Sequence, residues 1–145
     1  TKKPVAQYAY KIDAVAYPVF PPNAFRVNGI SDILCLSNNK LLVVERSYST
    51  GRLSCTIKTY IADLAKADDV SKFKSLKGKK YKIASKKLVL NFDSLDIFID
   101  NIEGVTFGPK LSNGNPSLLF IADNNFNSLE KSQVLLFEIQ NPEQK

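Results

Sequence analysis

Apolar residues in this chain occur in short runs, some alternating with polar residues and some continuous. Alternation with a period of two is typical of a half-buried β-strand, and short continuous runs are typical of buried strands. Turn-forming Gly, Pro and Asn residues separate the runs, and no segment has a clear helical period. The pattern therefore predicts an all-β chain with strands over residues 4–18, 29–36, 41–46, 54–61, 87–92, 103–107, 117–122 and 133–139.

Two segments of the chain resemble each other. Each has a Gly-containing strand, a Leu-Ser-Asn turn and an apolar run that ends in a carboxylate. Gly29 and Gly104 are 75 residues apart, whereas Glu45 and Asp123 are 78 apart, so the second segment has a longer turn. The repeat predicts one structural unit used twice, with Glu45 and Asp123 at equivalent strand ends.

Repeats of three or four antiparallel strands are typical of β-propeller blades. The prediction is about two antiparallel blades of a larger propeller, so that residues 1–145 form a single partial domain. Residues 63–87 are interpreted as a basic insertion that lengthens the repeat, and residues 140–145 as a frayed tail. Because an incomplete ring leaves open sheet edges, missing N-terminal blades or another chain are expected to cover them.

Composition narrows the chemistry. The chain has 145 residues and no His, which excludes His general bases and His-ligated metals. A metal would need oxygen ligands, which favours Ca²⁺ or Mg²⁺. Cys35 and Cys55 lack metal-ligand spacing and are predicted to be free, mostly buried thiols. The sequence contains no Met, which indicates a processed or cut product and leaves room for a removed export signal.

The net charge of +6 comes largely from residues 72–87. This excess would attract an anionic partner or substrate, and the alternative is a solvated loop without a partner. We expect no nucleic-acid partner, because no nucleic-acid-binding motif is present. The sequence contains no run of 18 uncharged apolar residues, so it predicts no membrane span.

Several pieces of the sequence resemble one known family. They are Gly29-Ile30-Ser31-Asp32-Ile33, Leu42-Val43-Val44-Glu45-Arg46-Ser47, Asp100-Asn101-Ile102-Glu103-Gly104-Val105, Ala122-Asp123-Asn124-Asn125-Phe126-Asn127 and Gln133-Val134-Leu135-Leu136-Phe137. Over roughly residues 8–139 the chain resembles the C-terminal part of the phytase-like domain family, also described as esterase-like. The resemblance implies a secreted or periplasmic β-propeller that hydrolyses an ester. The implied substrate is a phosphoester or another anionic small molecule.

In that hypothesis, carboxylates do the chemistry. The implied acid–base groups are Glu45, Glu103 and Asp123, and the last two are also candidate ligands for Ca²⁺ or Mg²⁺. Arg46 would stabilise phosphate charge, and Asn101 and Asn124 would orient the site. The structural alternatives are a turn-stabilising Glu103, an Asx-turn at residues 123–125 and a local Glu45–Arg46 ion pair.

Other polar residues are weaker candidates. Asp32, Asp96 and Asp100 are interpreted as loop and turn residues, and no Ser lies in a serine-hydrolase motif. The alternative function is a non-catalytic propeller used for binding or cell-surface assembly.

Overall fold

The computed structural model describes residues 3–140 and contains two antiparallel sheets. In the first sheet four strands lie side by side in chain order: β1 (Arg26–Ser37), β2 (Lys40–Ser49), β3 (Thr56–Asp63) and β4 (Ser85–Asn91). A 3-10 helix (Phe92–Leu95) leads to the second sheet, which contains β5 (Ile102–Phe107), β6 (Ser117–Ala122) and β7 (Gln133–Glu138) in that order.

The all-β prediction is confirmed, and so are seven of the eight predicted strands. The strand predicted over residues 4–18 is wrong, since this segment joins neither sheet. We call residues 5–19 the N-terminal strap, because side chains of the first sheet hold its backbone across one face. Most of the predicted frayed tail, residues 141–145, lies outside the described residues.

The core lies between the two sheets. Side chains of a strand alternate between its faces, so Leu42 and Val44 of β2 point into this core while Val43 points to the strap. Phe92, Phe120 and Phe137 meet edge to face in the core, with ring centroids 5.1 to 5.7 Å apart. This geometry is favourable for aromatic rings and joins the 3-10 helix to β6 and β7.

The two repeated segments form the β1–β2 and β5–β6 hairpins, but their strand pairings differ. Gly29 pairs with Arg46, whereas Gly104 pairs with Ile121. The predicted equivalence of the two carboxylates is therefore wrong. Glu45 lies in the interior of β2, which continues to Ser49, and Asp123 follows the last residue of β6.

Both cysteines are free, as predicted. The prediction that they are mostly buried is wrong for Cys35, which is exposed on β1, while Cys55 is half-buried immediately before β3.

Asp32 joins the two sheets, which its interpretation as a loop residue did not predict. One carboxylate oxygen accepts a hydrogen bond from the backbone N–H of Ile33 at 2.8 Å, and the other accepts from that of Val105 at 2.7 Å. The second bond crosses from β1 to β5. Asp32 thus supplies a polar connection beside the apolar core.

We expect Asp32→Ala to lower the free energy of unfolding by about 1–3 kcal/mol, because the partly buried N–H of Val105 loses its acceptor. Asp32→Asn is the matched control, since it keeps an acceptor oxygen at nearly the same size. Urea unfolding followed by circular dichroism measures both. Equal losses in the two variants would contradict the assigned bond.

Candidate functional site

Glu45 anchors the N-terminal strap. Its side chain is only 2% exposed. One oxygen accepts hydrogen bonds from the hydroxyl of Tyr10 at 2.7 Å and from Lys86 Nζ at 2.6 Å. The other accepts from the backbone N–H of Asp13 at 2.9 Å and from the amide of Asn28 at 3.0 Å. Four donors therefore occupy this buried carboxylate.

Asp13 on the strap is the second carboxylate of the same network. Lys86 Nζ lies 2.6 Å from its carboxylate and Lys58 Nζ lies 3.7 Å away. The hydroxyl of Tyr60 donates to Asp13 at 2.5 Å. Two carboxylates thus face two lysines, and their charges balance.

The strap is also bound by the next residues on the same face of β2. The hydroxyl of Ser47 accepts from the backbone N–H of Ala16 at 2.9 Å, and that of Ser49 donates to the backbone oxygen of Tyr17 at 2.7 Å. Glu45, Ser47 and Ser49 therefore form a ladder of buried polar anchors. Their spacing of two follows from the pleat of the strand.

The network shifts the pKa values of its members. Burial alone would raise the pKa of Glu45 and that of Asp13, but hydrogen bonds from Lys86 and the other donors lower both pKa values below their usual range. Burial alone would lower the pKa of Lys86, but its bonds to the two carboxylates raise it. Burial and the neighbouring carboxylates raise the pKa values of Tyr10 and Tyr60.

We expect stability to be highest between about pH 5 and pH 9. A carboxylate with a depressed folded-state pKa stabilises above its unfolded pKa, near 4, and this contribution disappears as the pH falls through the folded value. A group with a raised pKa, such as Lys86, stabilises below its unfolded pKa, near 10, and this contribution disappears at higher pH. Thermal melts from pH 3 to pH 11 measure the profile, and a maximum below pH 4 would contradict the network.

Glu45 and Arg46 lie on opposite faces of β2, as neighbours in a strand must. Glu45 faces the strap, while Arg46 lines a cleft on the other face. The two side chains therefore do not line one site, and they do not form the local ion pair considered as the alternative. Arg46 instead lies 3.5 Å from Glu103 of β5. Phosphate binding by Arg46 stays a prediction.

The cleft has a volume of about 430 Å³ and lies where β2 approaches the loops beside β5 and β6. This volume is in the range of small-ligand sites. Its polar lining comes from Arg46 and Tyr48 of β2, Ser54 and Cys55 before β3, Asp100 and Asn101 before β5, and Asn125 and Glu130 after β6.

Arg46, Glu103 and Asn101 form one group at this cleft. The Asn101 amide donates a hydrogen bond to Oε1 of Glu103 at 2.7 Å, and Arg46 Nη1 lies 3.5 Å from the same oxygen. The side chains of Arg46 and Glu103 are 34% and 39% exposed, so solvent and small solutes reach them. The structure therefore brings together three of the predicted site residues.

Two further carboxylates in the cleft hold loops in place. Asp100 is 9% exposed, and its oxygens accept from the backbone N–H groups of Asn101 and Lys131, at 2.8 and 2.7 Å. Glu130 accepts from the amides of Asn125 and Asn127 at 2.8 and 2.9 Å. Asp100 is thus more than the loop residue predicted, since it ties the segment before β5 to the segment before β7.

Asp123 and Asn124 begin the loop after β6. Asp123 is exposed. Asn124 accepts from the backbone N–H of Phe126 at 3.3 Å, which is the Asx-turn considered as the alternative for this segment. Asn125 and Phe126 have positive φ angles of 47° and 55°. Asn125, rather than Asn124, lines the cleft.

The oxygen atoms at the cleft are suitable in chemistry for Ca²⁺ or Mg²⁺, but their present partners leave little room for one. The Glu103 carboxylate already pairs with Arg46 and accepts a hydrogen bond from Asn101, and the Asp100 carboxylate already accepts hydrogen bonds from two backbone N–H groups. Within residues 3–140 no group of three or more Asp, Glu or Cys side chains is placed to hold a metal. The residues as arranged do not fit a cation.

Sequence reasoning missed Asp13, Lys86, Lys58, Tyr10 and Tyr60. Tyr8 and Tyr10 alternate as strand positions do, and Asp13 has no motif around it, so the sequence contains no separate signal for the network. It also missed Glu130, which lies in a polar loop with no motif.

These features define an all-β protein with two packed antiparallel sheets and a charged cleft between them. The family with which the chain matches is Phytase-like, described as esterase-like activity of phytase, and the match covers residues 1–126. The chain belongs to this family, and the resemblance recognised in the sequence is confirmed. No curated protein and no solved structure matches the chain. Among the described residues, no helix has the length and apolar character needed to cross a membrane.

Proposed function

We propose that this chain carries part of an ester-hydrolysing site in a larger β-propeller, and that the cleft at Arg46 binds the ester. The observation that carries the proposal is the Arg46–Glu103–Asn101 group at an accessible cleft in a member of the phytase-like family. The first sheet is a four-stranded antiparallel meander, which supports its interpretation as a blade.

Charge at the cleft favours a phosphodiester over a phosphomonoester. Arg46 is the one cation among the described lining residues, and it lies among the carboxylates of Asp100, Glu103 and Glu130. A diester carries one negative charge, which one guanidinium matches through two parallel hydrogen bonds. The three carboxylates repel a dianionic monoester more strongly than a singly charged diester.

Glu103 is our candidate general base. When Arg46 pairs with the ester oxygens instead of with Glu103, the Glu103 carboxylate can accept a proton from the attacking water. The water oxygen then bonds to phosphorus, the ester P–O bond breaks, and Glu103 returns the proton to the departing alkoxide. Asn101 keeps Glu103 oriented during both transfers.

The other predicted residues take different places in this proposal. Glu45 anchors the strap and does not contact the ester. Asp123 stays a second candidate acid–base group, and a Ca²⁺ or Mg²⁺ site at Glu103 and Asp123 stays a prediction that requires Arg46 to move away. Export of the protein likewise stays a prediction from the resemblance.

The test is hydrolysis of bis(p-nitrophenyl) phosphate and p-nitrophenyl phosphate by the full-length protein. We expect turnover of the diester to exceed that of the monoester, and Glu103→Gln to reduce it about 10²-fold or more. Asp123→Asn tests the second candidate, and Asp96→Asn is the control. Asp96 is exposed with a φ of 53°, which Asn adopts readily. Rates unchanged by both test variants would contradict the proposal.

A non-catalytic binding module is the second candidate. The observation that favours it is that each of Asp100, Glu103 and Glu130 already accepts hydrogen bonds or an ion pair. This candidate predicts ligand binding without turnover.

A thermal melt with and without Ca²⁺ is a cheap additional measurement, since a cation that binds only the folded protein raises the midpoint of unfolding. A rise would support the predicted cation site and contradict the cation-free arrangement.

A further inference from the structure

The positive charge of this chain is concentrated in one segment. Residues 70–92 contain eight lysines and no acidic residue, whereas the rest of the chain has twelve basic and fourteen acidic residues. Six of the eight lysines lie in residues 71–83, which we call the lysine loop. Without this segment the chain would be slightly acidic.

The lysine loop is held at its base. The backbone N–H of Asp68 donates to the carbonyl of Lys82 at 3.0 Å, and the N–H of Lys82 donates to the Asp68 carboxylate at 2.7 Å. The strap accepts bonds on both sides of the loop, from Val70 to Gln7 at 2.8 Å and from Ala84 to Ala9 at 2.9 Å. The base is therefore fixed, while all of residues 71–80 are exposed.

The tip of the loop presents an apolar side chain among lysines. The backbone N–H of Lys79 donates to the carbonyl of Leu76 at 3.2 Å, and Gly78 has a φ of 73°, which closes a tight turn. Leu76 is 39% exposed and Phe73 is 38% exposed, with the Phe73 ring 6.4 Å from that of Tyr81. The tip thus combines positive charge with apolar surface.

We propose that the lysine loop binds the surface of an anionic membrane. Lysines near a negatively charged lipid surface each strengthen binding about fivefold without needing a defined partner geometry. Leu76 and Phe73 would enter the boundary between headgroups and acyl chains, as apolar side chains of surface-bound proteins do. The absence of Arg from the loop favours a diffuse lipid surface over nucleic acid, because Arg is the better residue for defined phosphate and base contacts.

The experiment is co-sedimentation of the full-length protein with vesicles of phosphatidylcholine alone or with 30% phosphatidylserine. We expect binding only to the anionic vesicles, weakening with salt. The triple variant Lys77→Gln/Lys79→Gln/Lys80→Gln is expected to lower the partition coefficient on the order of 100-fold. The matched control neutralises three exposed lysines elsewhere, at Lys11, Lys66 and Lys110.

Leu76→Ser separates the two parts of the proposal, since it keeps every charge and removes the apolar tip. We expect it to weaken vesicle binding several-fold at high salt. Binding equal on neutral and anionic vesicles, or an equal loss in the two triple variants, would overturn the proposal. Binding to a single-stranded oligonucleotide but not to vesicles, measured by fluorescence anisotropy, would overturn it in favour of a nucleic-acid partner. Ester hydrolysis is expected to be unchanged in all these variants.

Discussion

Replacing Lys86 by methionine is expected to lower the free energy of unfolding by about 3 kcal/mol. Lys86 Nζ lies 2.6 Å from both Asp13 and Glu45, and Glu45 is 2% exposed. Without the ammonium, a buried carboxylate loses its main counter-charge. We place the effect at the low end of the range for buried pairs, because the Asp13 side chain is 35% exposed and water partly compensates for the loss.

The neighbouring residue provides the control. Lys87 is exposed on the same strand, and Lys87→Met is expected to change stability by no more than about 0.5 kcal/mol. Urea unfolding followed by circular dichroism measures both variants, since the chain has no Trp for fluorescence. The double variant Glu45→Gln/Lys86→Met is expected to lose less than the two single variants together, because their partners are shared. Equal effects of Lys86→Met and Lys87→Met would contradict the network.

Replacing Arg46 by glutamine is expected to lower kcat/KM for a phosphodiester about 100-fold or more. The substitution removes the cation that we place on the ester oxygens. Its effect on stability is expected to stay below about 1 kcal/mol, because the Arg46–Glu103 pair is half-buried at most and solvent weakens it. We therefore expect Arg46→Gln to lose activity while keeping nearly all of its stability. A purely structural role for Arg46 would not produce this difference.

Two further variants sharpen this prediction. Arg46→Lys keeps the charge but lacks the planar pair of donors, and we expect an intermediate rate. Arg26→Gln removes an exposed guanidinium from β1 and is expected to leave the rate unchanged. Steady-state assays on the full-length protein measure all three. A rate in Arg46→Gln equal to that in Arg26→Gln would contradict the assignment of Arg46.

The strands could be predicted because their signal is local. The alternation in β3 and the continuous apolar runs in β2 and β6 follow from burial on one or both faces of a sheet, and they do not depend on distant residues. The predicted bounds were too short for β2 because the polar residues Ser47 and Ser49 are buried there. They face the strap, and only the folded chain reveals their partners.

The strap and its network could not be predicted, because their contacts join residues far apart in the chain. Glu45 meets Asp13 across 32 residues and Lys86 across 41. Alternating Tyr residues in the strap imitate the pattern of a strand, but the hydroxyl of Tyr10 bonds to Glu45 and that of Tyr17 to Asp93. The repeat was similarly misleading, since similar sequence gave two hairpins with different registers.

The cleft was predicted in part. Glu103, Asn101 and Arg46 were each singled out, and the structure brings them together. The pairing of Arg46 with Glu103, rather than with the adjacent Glu45, depends on how the two sheets pack. That packing is set by the core around Phe92 and by Asp32, and no motif encodes it.

The most direct test of the central claim, that Arg46 and Glu103 act together on an ester, is a double-mutant cycle on diester hydrolysis. The full-length protein would be assayed as wild type, Arg46→Gln, Glu103→Gln and the double variant, with thermal melts of each. If the two residues form one site, the double variant should be about as slow as the slower single variant, with the melts little changed. Independent, multiplying losses, or no loss in either single variant, would contradict the account.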